Sequence, residues 1–152
     1  MRLRPAEARY RFAAERVARL GTVSADGVPH LVPITFAVLG DRIVSVVDDK
    51  PKSTTRLRRL DNIAARPTVC LLVDVYQDDW SRLWWARADG TASVLDTDDE
   101  AVDALAARYP AYVERRPRGP VVSIDVVTWT GWAAGAVSTA RPVSPGDRPA
   151  HA

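Results

Sequence analysis

Apolar residues in this chain recur with two periods, one helical and one strand-like, and the changes between them mark out the elements. From Pro5 to Leu20, the positions Tyr10, Ala13, Ala14, Val17 and Leu20 keep helical spacing, and Pro5 suits a first turn, so a helix is predicted. Gly21 to Ser24 begins a strand, and Ala25-Asp26-Gly27 is a turn. His30 to Leu39 reads as one long apolar strand interrupted by Pro33. A proline there removes a ladder donor and marks an edge, a bulge or a ligand-facing gap. Gly40-Asp41 turns the chain into a strand from Arg42 to Val47, completing a three-stranded meander.

A helix is predicted from about Ser53 to Ala65, with Leu57, Leu60 and Ile63 on one face, ending before Pro67. Val69 to Val75 is so uniformly apolar that burial on both faces is expected, with Cys70 an inert buried thiol. Leu83 to Val94 is the fifth strand, bent by a bulge at Asp89-Gly90. Thr97-Asp98-Asp99-Glu100 is a capping box opening a helix with Val102, Leu105, Ala106 and Tyr109 inward, which Pro110 ends. In the last strand, Val121 to Trp132, Val122, Ile124 and Val126 alternate with Ser123 and Asp125.

Six strands joined mostly by short turns, with helices inserted, predict a mainly β fold: a small antiparallel barrel. Regular βα alternation, a GxGxxG motif and a P-loop are all absent. From residue 138 the chain is polar and proline-rich without period, so residues 1–137 are expected to fold and 138–152 to form a flexible tail. A chain of 152 residues is one domain that buries roughly 70% of its unfolded surface. One cysteine excludes an internal disulfide, and His30 and His151 alone supply no metal-ligand cluster. No apolar run approaches the roughly 20 residues of a membrane span, and no signal sequence is visible, so a cytoplasmic protein is expected. A net charge of +2 is too mild for nucleic-acid binding.

Charge patterning adds a candidate site. Asp48 to Leu60 holds both lysines of the chain, between a strand and a helix. Helix N-terminal N–H groups, lysines and hydroxyls together attract phosphate, and Arg56 or Arg59 would clamp it bidentately. The competing reading is a capped helix with a solvated basic face. Five tryptophans form two clusters, Trp80/Trp84/Trp85 and Trp129/Trp132. They read either as core and subunit-interface residues or as a flat pocket for a planar heterocycle, with Arg87 placed for a carboxylate or phosphate or for a cross-strand acid.

Leu20 to Pro33, LGTVSADGVPHLVP, resembles the opening of the pyridoxamine 5′-phosphate oxidase-like, flavin-binding split β-barrel proteins. Asp49-Lys-Pro-Lys52, Arg56 to Ile63, Asp74-Val-Tyr76 and Asp79 to Trp84 resemble its actinobacterial branch of coenzyme F420-dependent oxidoreductases, over roughly residues 6–135. The resemblance implies a six-stranded split barrel and a homodimer with two cofactor sites at its interface. It places the cofactor phosphate against Val47, Lys50, Lys52, Ser53, Thr54, Thr55, Arg56 and Arg59, and the ring system along His30, Pro33 and Thr35. Trp80, Trp84 and Arg87 would approach from the fifth strand, with Tyr76, Trp129 and Trp132 toward the substrate. The C-terminal Arg-x-His segment of the vitamin-pathway oxidase is missing, which argues against pyridoxine phosphate as substrate.

The activity expected is hydride transfer between F420 and a small organic acceptor, with no metal and no side chain assigned as acid or base. F420 carries a polyglutamate tail, and the arginines at 56–59 and 115–118 favour it over FMN, the alternative cofactor. A non-enzymatic cofactor carrier or haem binder is the remaining alternative, with His30 as the one internal histidine.

Overall fold

The computed structural model describes residues 1–47 and 57–135. The elements are α1 (Pro5–Ala14), β1 (Ala18–Val23), β2 (Pro29–Ile34), β3 (Ala37–Leu39), β4 (Arg42–Val46), α2 (Arg58–Ala65), β5 (Thr68–Val75), a 3₁₀ turn (Trp80–Arg82), β6 (Trp84–Leu95), α3 (Asp99–Arg108), α4 (Pro110–Glu114) and β7 (Val121–Ala133). The strands form one antiparallel sheet in the order β2-β1-β5-β6-β7-β4-β3. The mainly β fold with peripheral helices is therefore as expected, but there are seven strands. The single strand expected from His30 to Leu39 is two, β2 and β3, which lie at opposite edges of the sheet. Thr35 and Phe36 carry the chain between those edges, so the expected meander is two separate hairpins. Pro33 sits on edge strand β2, where its missing N–H breaks no ladder.

Helix α1 ends at Ala14 rather than Leu20. Ala18, Leu20 and Thr22 are buried with a period of two, the mark of a strand. The Arg108 guanidinium, 93 and 95 positions away, donates to the carbonyls of Glu15 and Ala13 and so satisfies the helix end. The inward face of α1 is Ala8 and Phe12, while Tyr10, expected inside, is exposed. Phe12 meets Phe36 and Trp129 edge-on, with ring centroids 5.0 and 5.2 Å apart.

Helix α2 starts at Arg58 with Leu57 at its N-cap, five residues later than expected. Its Asn62 is buried and donates to Thr22 Oγ1 at 3.0 Å, tying the helix to β1. Asp98, not Thr97, caps α3, accepting from the Ala101 N–H. Pro110 both ends α3 and opens α4, at a position where its missing N–H costs nothing. The bulge expected at Asp89-Gly90 is present as a register shift against β7. A Cβ on Gly90 would overlap the Asp125 carbonyl, so the shift requires glycine.

The main core lies on the inner face of the sheet. Leu20, Leu71, Val73, Ala86, Ala88 and Ile124 meet Phe12 of α1 and Ile63 of α2 there. A second core lies outside β3, β4 and the start of β7, where Ala37, Val44, Val46 and Val121 are covered by Ala101, Val102 and Leu105 of α3. Strand β5 departs from expectation. Val69, Leu71 and Val73 are buried, but Cys70 and Leu72 between them are exposed, because no described element covers that side.

Candidate cofactor site

Lys50, Lys52, Ser53, Thr54, Thr55 and Arg56 lie outside the described residues, whereas both ends of their segment are described. Val47 enters it, with its N–H bonded to the Pro120 carbonyl at 3.0 Å. A Cβ on Gly119 would overlap the Val47 carbonyl, so the loop between α4 and β7 passes directly beside this point. Arg59 stands in the first turn of α2, at the far end of the segment, and is half-buried.

The same loop borders a cleft of about 750 Å³ lined by Asp96 to Asp99, Val102, Glu114 to Gly119 and Val121. Arg116 is held by Asp103 at 2.8 Å and by Asp99 at 3.8 Å. Arg42 reaches Asp98 at 2.7 Å and Ser123 Oγ at 3.2 Å. The hydrogen bond from Arg42 holds the Asp98 carboxyl below the usual carboxylate range, with the Ala101 N–H adding to the effect. The same hydrogen bond raises the Arg42 guanidinium.

The register divides the remaining candidates between the two faces. His30 stands opposite Thr22 in the inner row, and its Nδ1 is buried with no partner among the described residues. Trp84 also turns inward, packing against the core with the Arg11 guanidinium 5.6 Å from its ring. Trp129 does the same opposite Ala88, and its buried Nε1 has no described partner. Trp85, Arg87 and Trp132 lie on the outer face. Trp85 is opposite both Asp74 and Trp132, while Arg87 is opposite Leu72 and Thr130 and pairs with Asp89 at 2.9 Å. Pro33 continues this outer row beside Arg19.

Tyr76 and Trp80 project from the connection between β5 and β6, 65% and 75% exposed. Asp79 stiffens that connection by accepting from Ser81 Oγ at 2.6 Å and Ser81 N–H at 3.0 Å. The bond from the Ser81 hydroxyl is the main reason the Asp79 carboxyl lies below its usual range. Thr35 occupies the crossing between the sheet edges, and a 2.7 Å hydrogen bond joins its Oγ1 to the Tyr112 hydroxyl.

The structure thus brings Val47 together with the arginine loop, and Arg87 together with Trp132 and Trp85. It separates His30, Trp84 and Trp129 from that outer row. Sequence reasoning missed Tyr109 and Tyr112 as partners of Thr35 and Phe36, because nothing local relates positions more than seventy residues apart. It also missed Ser45, which donates to the Thr35 carbonyl at 2.8 Å. Among the described residues no group of His, Cys, Asp or Glu is arranged to hold a metal ion. No described helix is long and apolar enough to cross a membrane.

Comparison with known proteins adds the lineage. The family profile for pyridoxamine 5′-phosphate oxidase matches residues 5–133. The chain belongs to that family. No curated protein matches it by sequence. Among solved structures, it is similar to a FAD-binding protein from Mesorhizobium loti, with a TM-score of 0.67, 19% identity and coverage of 86% of this chain and 95% of that one. It is also similar to the FAD binding protein of Mycobacterium smegmatis, with a TM-score of 0.62, 16% identity and coverage of 87% and 98%. The heme binding protein of Mycobacterium smegmatis gives a TM-score of 0.68 at 21% identity, covering 88% of this chain and 56% of that one. At these identities the likeness is one of fold, and this family member shares its fold with proteins that bind different groups.

Proposed function

We propose that this family member is a coenzyme F420-dependent oxidoreductase that passes hydride between the deazaflavin and a small organic acceptor. Two sites would lie at a homodimer interface. The observation carrying the choice of cofactor is the contact of Val47 with Gly119 and Pro120. It brings the loop bearing Arg115 and Arg118 beside the entrance to the segment bearing Lys50, Lys52 and Arg56. One basic segment suffices for a single phosphate, whereas two converging segments suit a phosphate followed by a chain of carboxylates.

In this reading Lys50, Lys52, Ser53, Thr54, Thr55, Arg56 and Arg59 hold the phosphate. Arg115 and Arg118 attract the acidic tail. Thr35 and Pro33 border the ring, and Arg87 and Trp132 face the second subunit. When bound, the deazaflavin supplies the hydride chemistry, and the chain supplies position and exclusion of water. The open outer face carries Leu31, Cys70 and Leu72 among Arg19, Arg87, Asp74 and Asp89, a mixture of apolar and self-complementary charged groups suited to a second copy.

The second reading is an FMN-dependent oxidoreductase on the same scaffold, which the likeness to two FAD-binding proteins favours. Titration of the purified protein with F420 and with FMN, followed by tryptophan quenching, separates the two. Tight F420 and weak FMN binding is expected, and the reverse order assigns the flavin. Replacing Lys52 and Arg56 together by alanine is expected to weaken cofactor binding by about 1–3 kcal/mol per lost charged hydrogen bond. Unchanged affinity would remove the phosphate from this segment.

A further inference from the structure

At Thr35 and Phe36 the chain leaves β2 on one edge of the sheet and joins β3 on the other, so this short crossing has no strand ladder of its own. Side-chain hydroxyls hold it instead. Ser45 Oγ donates to the Thr35 carbonyl at 2.8 Å. The Phe36 N–H donates to the Tyr109 hydroxyl at 3.1 Å, which in turn lies 2.9 Å from the carbonyls of Phe36 and Arg16. These bonds fix the backbone, and only one of the set reaches the Thr35 side chain, the 2.7 Å bond with the Tyr112 hydroxyl.

Threonine carries a hydroxyl and a methyl on the same β-carbon, so a turn about χ1 exchanges one for the other in the same space. The bond to Tyr112 decides which group occupies which position. Tyr112 is also tied to the arginine loop, standing on α4 three residues before Arg115, one helical turn from the cleft beside Val47. Its ring is held independently, packing at the edge of the second core and meeting the Tyr109 ring edge-on at 5.6 Å.

We infer that Tyr112 is a positioning residue for the cofactor pocket and acts by setting the orientation of Thr35. The inference rests on the reading above that Thr35 borders the cofactor. The Tyr112→Phe variant removes the hydroxyl and keeps the ring. The Thr35→Val variant keeps the shape and removes the other partner.

Both variants and the double variant would be titrated with F420 and FMN by tryptophan quenching, with thermal unfolding and amide hydrogen exchange of the unliganded proteins alongside. The expected result is a roughly threefold to tenfold loss of affinity for the preferred cofactor in Tyr112→Phe. The double variant should bind no more weakly than Thr35→Val alone, because both substitutions break the same bond. Unfolding, and exchange at the amides of 35–37, should stay close to the parent in Tyr112→Phe, because Ser45 and Tyr109 still hold that backbone. Faster exchange there would make Tyr112 a support of the crossing and overturn the inference. Parent-like affinity in Tyr112→Phe, or losses that multiply in the double variant, would overturn the inference while leaving the cofactor reading intact. A parent protein that binds neither F420 nor FMN would overturn both.

Discussion

The outer surface of the sheet has two halves made from similar sequence and treated differently by the fold. Over β3, β4 and the start of β7, helix α3 lies on the strands, with Tyr112 of α4 at the edge. Strand β4 is consequently buried at four successive positions, Ile43 to Val46. Over β1, β2, β5 and the first half of β6, no described element lies on the outside. Strand β5 is equally apolar in sequence, yet it alternates between buried Val69, Leu71 and Val73 and exposed Cys70 and Leu72. An apolar strand between two covers is finished, whereas the same composition under one cover leaves a face that gains by association. This contrast is why the expectation of a doubly buried β5 failed for the single chain, and it gives the homodimer proposal its physical basis.

The comparison can be broken at its strongest point first. Leu105 is fully buried under the covered half, and Leu105→Ala is expected to cost about 2–5 kcal/mol in urea unfolding, since it leaves a cavity between α3 and the strands. A loss within 1 kcal/mol of zero would mean that α3 contributes little to this half.

The next effect is on the attachment of α3. Asp98 both caps the helix and pairs with Arg42 on β4. Asp98→Ala is expected to cost about 0.5–2 kcal/mol. Because the folded state holds this carboxyl below its unfolded value, its contribution is present above the usual carboxylate range and is lost as pH falls through the folded value. The stability gap between the parent and Asp98→Asn should therefore narrow on acidification, and a gap constant with pH would show that the ion pair does not carry the effect.

The smallest effect on folding of the chain is expected in the open half. Leu72→Glu places a charge on an already exposed site, so its far-ultraviolet spectrum should match the parent. Light scattering should nevertheless change, from a dimer to a monomer. A parent that is itself monomeric while binding cofactor would remove the shared site and the explanation given for β5.

Much of the fold could be read locally. The bulge at Asp89-Gly90 and the inward Val102 and Leu105 of α3 follow from spacing and from the steric needs of glycine, and Pro33 takes the edge position, one of the three its missing N–H allowed. The alternation expected in β7 fails at its start, where Val121 to Ile124 are all buried, Ser123 included. Errors arose where a distant group intervened. Helix α1 stops where Arg108 reaches its last carbonyls, and the expected strand from His30 to Leu39 splits where Tyr109 and Tyr112 bind its middle. The candidate site was legible as residue types but not as an arrangement. Trp84 and Trp85 were bound to face opposite ways, yet only the register with Val75, Asp74 and Trp132 shows which of them turns inward.

By itself the sequence determined a mainly β chain, the approximate place of β4 to β7 and of α1 to α3, and a basic segment between β4 and α2. These depend on side-chain periodicity within a few residues of each position. The tertiary structure alone decided that β5 lies between β1 and β6, that β2 and β3 part to opposite edges, and that the arginine loop comes to rest beside Val47. Those outcomes depend on backbone pairing and on side chains seventy or more residues apart, such as Thr35 with Tyr112, and local patterning carries no information about such pairs.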